Sequence, residues 1–210
     1  MNLLVLSGGD HPYDETTPVL EEFLRGAGHD VQVTDDASTL VSEGLEDRQA
    51  VVFNTRRVDK LTLAEAERTA LSDFIGGGKG FVAIHCAGIR PEAWPEYHDI
   101  TGGGYIPGVT GHQPYGEFEV YVRDPGHPCS RGLSDFTTND ELYTPVVMQQ
   151  GNVVFLTALV SGEAQPVAWT RGHGKGRVFY TILGHDEASF RAPGFQRLIL
   201  NAVAWAGGGE

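Results

Sequence analysis

The stretch Gly80-Phe81-Val82-Ala83-Ile84-His85-Cys86-Ala87-Gly88 decides the fold. Phe81 to Ile84 are apolar without alternation, as a strand covered on both faces requires, and they empty abruptly into an imidazole, a thiol and two small residues. Such a strand turns sharply at its end and presents one side chain above the sheet edge. The pattern alone leaves open whether that side chain is His85 or Cys86. An exposed thiol beside a histidine suits acyl transfer, whereas an exposed imidazole leaves Cys86 to packing.

Working outward, Leu3 to Leu6 and Ala50 to Phe53 have the same unbroken apolar character. Between them, Thr17-Pro18 offers an N-cap and a first-turn proline for a helix whose Val19, Leu20, Phe23 and Leu24 share a face, ending at Gly26 to Gly28. A short strand is expected at Val31 to Val33. Thr62-Leu63-Ala64-Glu65 has the spacing of a capping box before a helix with Leu71, Phe74 and Ile75 inward, stopped by Gly76-Gly77-Gly78. Strands and helices alternating at this spacing indicate right-handed βαβ units. The expected class is therefore α/β: three layers around a doubly wound, mostly parallel sheet, with functional residues following Leu6, Phe53 and Ile84.

The second half reads differently. Phe118 to Val122, Val153 to Leu159, Val167 to Thr170 and Arg177 to Leu183 resemble strands joined by short turns, so some pair antiparallel. A last helix begins near Pro193, presents Phe195, Leu198, Ile199, Ala202 and Val203, and ends at Gly207-Gly208-Gly209. No Pro/Ser-rich or charge-rich stretch divides the 210 residues, so one domain, 1–210, is expected. A domain of this size buries about 70% of its unfolded surface and needs no disulfide.

The net charge of −13 repels phosphate backbones and anionic head groups, and no cluster of Lys and Arg offers an exception. Nucleic-acid and membrane partners are not expected. The two cysteines, Cys86 and Cys129, lie in different segments, and the opening Met1 to Ser7 is too short for a signal peptide. A reducing, cytoplasmic location fits both.

Nucleotide motifs do not survive inspection. Ser7-Gly8-Gly9-Asp10-His11 lacks the third glycine of a dinucleotide fingerprint, and Gly172-His173-Gly174-Lys175-Gly176-Arg177 joins two strands where a phosphate loop must open a helix. No nucleotide cofactor is expected, and the second run reads as a hairpin turn. The groups able to act as base, acid or metal ligand at neutral pH are His85, His112, His185 and the Asp140-Glu141 pair. One of that pair serves a structural role, as a cap or a partner for Arg177, and Glu141 is assigned to the site. Asp10-His11 reads as a turn, with His11 only a weak candidate. His29, His98 and His173 read as surface residues, and His127 as the start of a loop. No HExxH or paired-cysteine spacing is present, so a divalent metal would need ligands from separate segments, with His85, His112, Glu141 and His185 as candidates.

The elbow resembles that of the class I glutamine amidotransferase-like superfamily, a flavodoxin-like fold in which a buried strand runs into Gly-Ile-Cys-x-Gly. Aligned on the strand, His85 takes the nucleophile's place. A closer resemblance, to the trehalose-utilisation or ThuA-like family, covers nearly the whole chain. It rests on His85, Trp94, Tyr97, Gly102-Gly103 before Tyr105, His112, His127-Pro128, Gly132-Leu133, Asp140-Glu141-Leu142-Tyr143 and Pro166-Val167-Ala168-Trp169. Gly174 to His185 and Trp205-Ala206 complete it. Two departures are Cys86, where relatives more often have serine, and Gln113, which interrupts a His-Pro pair.

The resemblance implies a carbohydrate-utilisation protein whose small-molecule partner is a sugar or keto-sugar, with His85, His112, Glu141 and His185 in acid/base, metal-free or metal-assisted, isomerisation or elimination. Trp94, Tyr97, Tyr143 and Trp169 are the rings expected against the sugar, with Asp140 as a polar contact. Two other readings stand beside it: a cysteine hydrolase using Cys86, and a non-catalytic sugar- or partner-binding module. The oligomeric state, homo-oligomers included, is left open.

Overall fold

A computed structural model describes residues 1–209; Glu210, the last residue of the expected domain, lies outside the described residues. The first half runs β1 (Asn2–Gly8), α1 (Tyr13–Gly26), β2 (Asp30–Thr34), β3 (Ala50–Thr55), α2 (Glu65–Gly76) and β4 (Gly80–Ile84). Next come α3 (Tyr97–Thr101), β5 (Gly103–Gly104), β6 (Gly111–His112), β7 (Gly116–Val122), β8 (Phe136–Asp140), β9 (Tyr143–Thr144) and β10 (Val147–Met148). The chain closes with β11 (Val153–Val160), β12 (Glu163–His173), β13 (Gly176–Thr181), α4 (Glu187–Arg191) and α5 (Pro193–Ala206).

Nine strands form one sheet in the order β2-β1-β3-β4-β13-β12-β11-β7-β8. The first five are parallel and the last four join antiparallel. Every residue of β3 and β4 is buried, which explains their unbroken apolar sequence: helices cover both faces. Helices α1, α4 and α5 pack in series on one side, with α5 against β4 and β13. Chain direction reverses at the sheet centre, because β1 leads outward to β2 and the chain then crosses back to β3. That switch opens a crevice beyond the carboxyl ends of β1 and β3.

Local details correct the sequence reading. Helix α1 starts at Tyr13, a turn earlier than Thr17-Pro18 suggests, because Glu15 and Thr16 N–H groups already bond to Pro12 O. Thr17 is buried and ties strands together, its hydroxyl 2.6 Å from Ser7 Oγ and 3.0 Å from Asn54 Nδ2. Helix α2 is N-capped at Ala64, and the carboxylate that reaches back is Glu67, accepting from Ala64 N at 2.7 Å, rather than Glu65. His98 is 4% exposed, not a surface residue. The Gly172–Gly176 run is the β12–β13 hairpin, with Gly174 at φ +58°. Strand β8 and the short helices α3 and α4 carry no signal the sequence reading used. Among the described residues, no helix is long and apolar enough to cross a membrane.

Candidate active site

Strand β4 ends in a tight turn over His85–Gly88, and His85 adopts φ +51°. That left-handed conformation costs a residue with a Cβ about 1–2 kcal/mol, so the surroundings must hold it. Four successive carbonyls of the turn are engaged. Tyr180 OH donates to His85 O at 2.9 Å, Ile89 N to Cys86 O at 3.1 Å, Tyr97 OH to Ala87 O at 2.7 Å, and His98 Nε2 to Gly88 O at 3.1 Å. Burial lowers His98 to about 4, so its ring is neutral and donates through Nε2.

The imidazole of His85 is buried, and its tautomer is fixed. Nδ1 lies 2.6 Å from Ile182 O, a carbonyl that can only accept, so Nδ1 carries the proton and Nε2 the lone pair. Nε2 then accepts from Tyr143 OH at 3.1 Å and sits 3.7 Å from Glu141 Oε2. Burial, partly offset by the Ile182 hydrogen bond, lowers His85 to about 3. The ring is neutral at physiological pH.

Glu141 is the centre of the arrangement. Its Oε2 lies 3.3 Å from His185 Nδ1, and its Oε1 lies 3.5 Å from His112 Nδ1. Burial alone raises Glu141, but His185, His85 and His112 together outweigh it and hold the carboxyl below its ordinary value. His185 is raised in turn, chiefly by Glu141. Asp140 positions both: fully buried, it accepts from Glu141 N at 2.8 Å, Gly184 N at 2.7 Å and His185 N at 3.3 Å. Burial pushes Asp140 up to about 7, against the pull of those N–H groups. One carboxylate thus fastens the loop after β8 to the loop after β13, and Arg177 instead bonds to Trp205 O and Gly209 O.

These side chains line or underlie an open cleft of about 500 Å³ walled by Asp10, His11, Arg56, Cys86, Tyr105, His112, Glu141, Tyr143 and His185 among others. The structure therefore brings together His85, His112, Glu141 and His185. It adds His11, whose ring centroid is 4.6 Å from that of His185 and 5.1 Å from that of His85. His11 follows β1 and Arg56 follows β3, so the rule that sites form at strand carboxyl ends pointed to both. Reading Asp10-His11 as a turn left the first only a weak candidate.

The aromatic candidates divide. Tyr143 faces the cleft with Tyr105, their rings 5.1 Å apart. Trp169 is fully buried and donates Nε1–H to Thr101 O at 2.8 Å, so no ring face is left for a sugar. Tyr97 is likewise buried and braces the elbow. Trp94 packs on Tyr97 beneath the Arg68 guanidinium and borders a different groove. Asp140 contacts backbone rather than the cleft. His127 stacks on Phe155 at 4.3 Å and is not among the residues lining the cleft.

Cys86 borders the cleft, but burial pushes its thiol up to about 12, and its polar neighbour is Tyr143 OH at 3.7 Å. The thiol keeps its proton. Cys129 is also buried and free.

An open, mostly parallel sheet with antiparallel additions, a strand-end elbow bearing histidine and a cleft at the switch point define a three-layer α/β fold with its site beyond the strands' carboxyl ends. Residues 2–206 match the family described as trehalose utilisation, ThuA, and the chain belongs to that family. Its fold is shared with a ThuA-like protein from Parabacteroides merdae at a TM-score of 0.82 and 24% identity, over 99% of this chain and 89% of that one. A ThuA-like protein from Bacteroides uniformis superposes at 0.78 and 20% identity, over 98% and 90% of the two chains. A cytoplasmic protein from Salmonella typhimurium follows at 0.67 and 15% identity, covering 98% of each. No curated protein matches the chain in sequence.

Proposed function

We propose that the cleft is the active site of a cytoplasmic carbohydrate-utilisation enzyme that moves a proton on a sugar or keto-sugar. The observation that carries this reading is the Glu141 carboxylate lying 3.3–3.7 Å from three imidazoles, those of His85, His112 and His185. A ketone acidifies the C–H of its neighbouring carbon. Glu141 takes that proton, and the electron pair moves to the ketone oxygen, toward which the neutral Tyr143 hydroxyl turns its one proton from His85 Nε2. Burial holds the Tyr143 hydroxyl well above its ordinary value, so it remains a donor.

For isomerisation, the enolate oxygen takes the proton of the hydroxyl on the deprotonated carbon, and Glu141 returns its proton to the former carbonyl carbon, which leaves the ketone one carbon over. Elimination results when the electron pair expels an oxygen from the β-carbon, and that oxygen leaves with the proton Glu141 removed. Positioned acid/base groups of this kind contribute roughly 10²–10⁴-fold. Family membership supports a carbohydrate substrate, and two free cysteines fit the cytoplasm.

The experiment is incubation with keto-glucosides in D₂O, with and without divalent metal, followed by NMR. The wild type exchanges or transforms the C–H beside the ketone, and Glu141→Gln and His85→Ala do not. If all three proteins are equally inert on every keto-sugar, the mechanism is abandoned.

A further inference from the structure

His11 takes no part in the proton transfer, yet it stands against the two most buried imidazoles of the cleft. One ring nitrogen from each of His11, His85 and His185 lies within 4.8 Å of the other two. Three rings that meet edge-on and tilted can simply pack. Two features argue otherwise. His11 Nε2 is buried without a hydrogen-bond partner, a condition few buried polar side-chain atoms among the described residues share, and His185 Nδ1 is buried with Glu141 Oε2 facing it at 3.3 Å. His85, by contrast, spends Nδ1–H on Ile182 O, so the nitrogen it can offer a cation is Nε2, whose lone pair the Tyr143 hydroxyl must give up. That is the arrangement by which a ligating histidine is oriented: the far ring nitrogen donates to a carbonyl, fixing the tautomer and leaving the near nitrogen for the metal.

We propose that His11, His85 and His185 bind a first-row divalent cation, with the Glu141 carboxylate beside it and the cleft side open to substrate. This deepens the reading of the cleft given above and rests on it for the cation's role. Three imidazoles next to one carboxylate select zinc, cobalt, manganese or iron over magnesium and calcium, which take oxygen donors. Ligands about 2.1 Å from a tetrahedral ion stand about 3.4 Å apart, so the rings draw inward on binding. Asp140, which fastens the His185 and Glu141 backbones, sets the limits of that movement. A cation so placed would polarise the ketone oxygen of a keto-sugar. His112 lies on the other carboxylate oxygen of Glu141, half-exposed, and is outside the set.

Cobalt(II) reports on such a site without any sugar. Metal-stripped full-length protein titrated with Co²⁺ is expected to take up one ion per chain with visible d–d absorption. His11→Ala and His185→Ala lose affinity by roughly 10-fold or more, and His173→Ala, at the end of β12, keeps the wild-type affinity. Independently of any variant, a hundredfold excess of Co²⁺ over its Kd raises the wild-type Tm by about 5–10 °C, and Mg²⁺ does not. The proposal is overturned if no band appears, if the band survives both alanine substitutions, or if Co²⁺ raises the Tm no more than Mg²⁺. A cobalt site in a protein inert to keto-sugars would sink the proposed reaction and leave the cation site standing. Turnover in a protein that binds no cobalt would do the reverse.

Discussion

Replacing Gly88 by alanine drives a methyl group into Tyr180. A Cβ at that position would sit 2.1 Å from Tyr180 Cζ, 2.3 Å from its hydroxyl oxygen and 2.4 Å from Cε2. Carbon atoms in contact stand about 3.5–4.0 Å apart, so the ring must retreat by more than about 1 Å. It has nowhere to go. Tyr180 is fully buried and meets Trp169 edge-on at 4.7 Å, and the Trp169 indole is itself held by Thr101 O. Overpacking of a tight core costs about 1–3 kcal/mol, and losing the Tyr180 hydrogen bond to His85 O adds about 1 kcal/mol. The sum, about 2–4 kcal/mol, lowers the Tm of a chain this long by roughly 4–16 °C. Urea denaturation of Gly88→Ala measures it, with Gly26→Ala as control, since a Cβ there meets nothing within 4 Å. The control should stay within about 0.5 kcal/mol of wild type. A Gly88→Ala protein within about 1 kcal/mol of wild type would refute the claim that the elbow is held rigidly.

Two further outcomes are expected. His98 titrates at about 4 in the fold because burial lowers it, against about 6.5 in the unfolded chain. The unfolded chain therefore takes the proton first, and stability present above pH 6.5 drains away as pH falls to 4, by up to about 3 kcal/mol. In urea titrations, His98→Gln should lack this part of the acid sensitivity; equal pH slopes for the two proteins would contradict the assignment. Cys86, with its thiol pushed up to about 12, should react with iodoacetamide at pH 7.5 at least roughly 100-fold slower in the native protein than when unfolded. Rapid native labelling would revive the cysteine-hydrolase reading.

The parallel half of the sheet was legible because its strands are buried on both faces, so burial writes itself into the sequence as unbroken apolar runs at Leu3 to Leu6, Ala50 to Phe53 and Phe81 to Ile84. The start of α1 was misplaced because Thr17 faces inward to Ser7 and Asn54. A hydroxyl bonding across strands has the same local signature as one capping a helix. Edge strand β8 was missed for a related reason: its alternating burial is spread over Phe-Thr-Thr-Asn-Asp, a polar run that reads as loop.

For the site, the sequence by itself supplied the residue types and the family pattern that gathered His85, His112, Glu141 and His185 as candidates. It could not choose between His85 and Cys86 at the elbow, separate Trp169 and Tyr97 in the core from Tyr143 in the cleft, or bring His11 into the cluster. Those distinctions depend on which side of a buried strand a side chain leaves and on contacts between residues as far apart as His11 and His185. Tertiary packing decides them: it sets His85 at positive φ, fixes its tautomer against Ile182 O, and pins Glu141 to His185 through the buried carboxylate of Asp140.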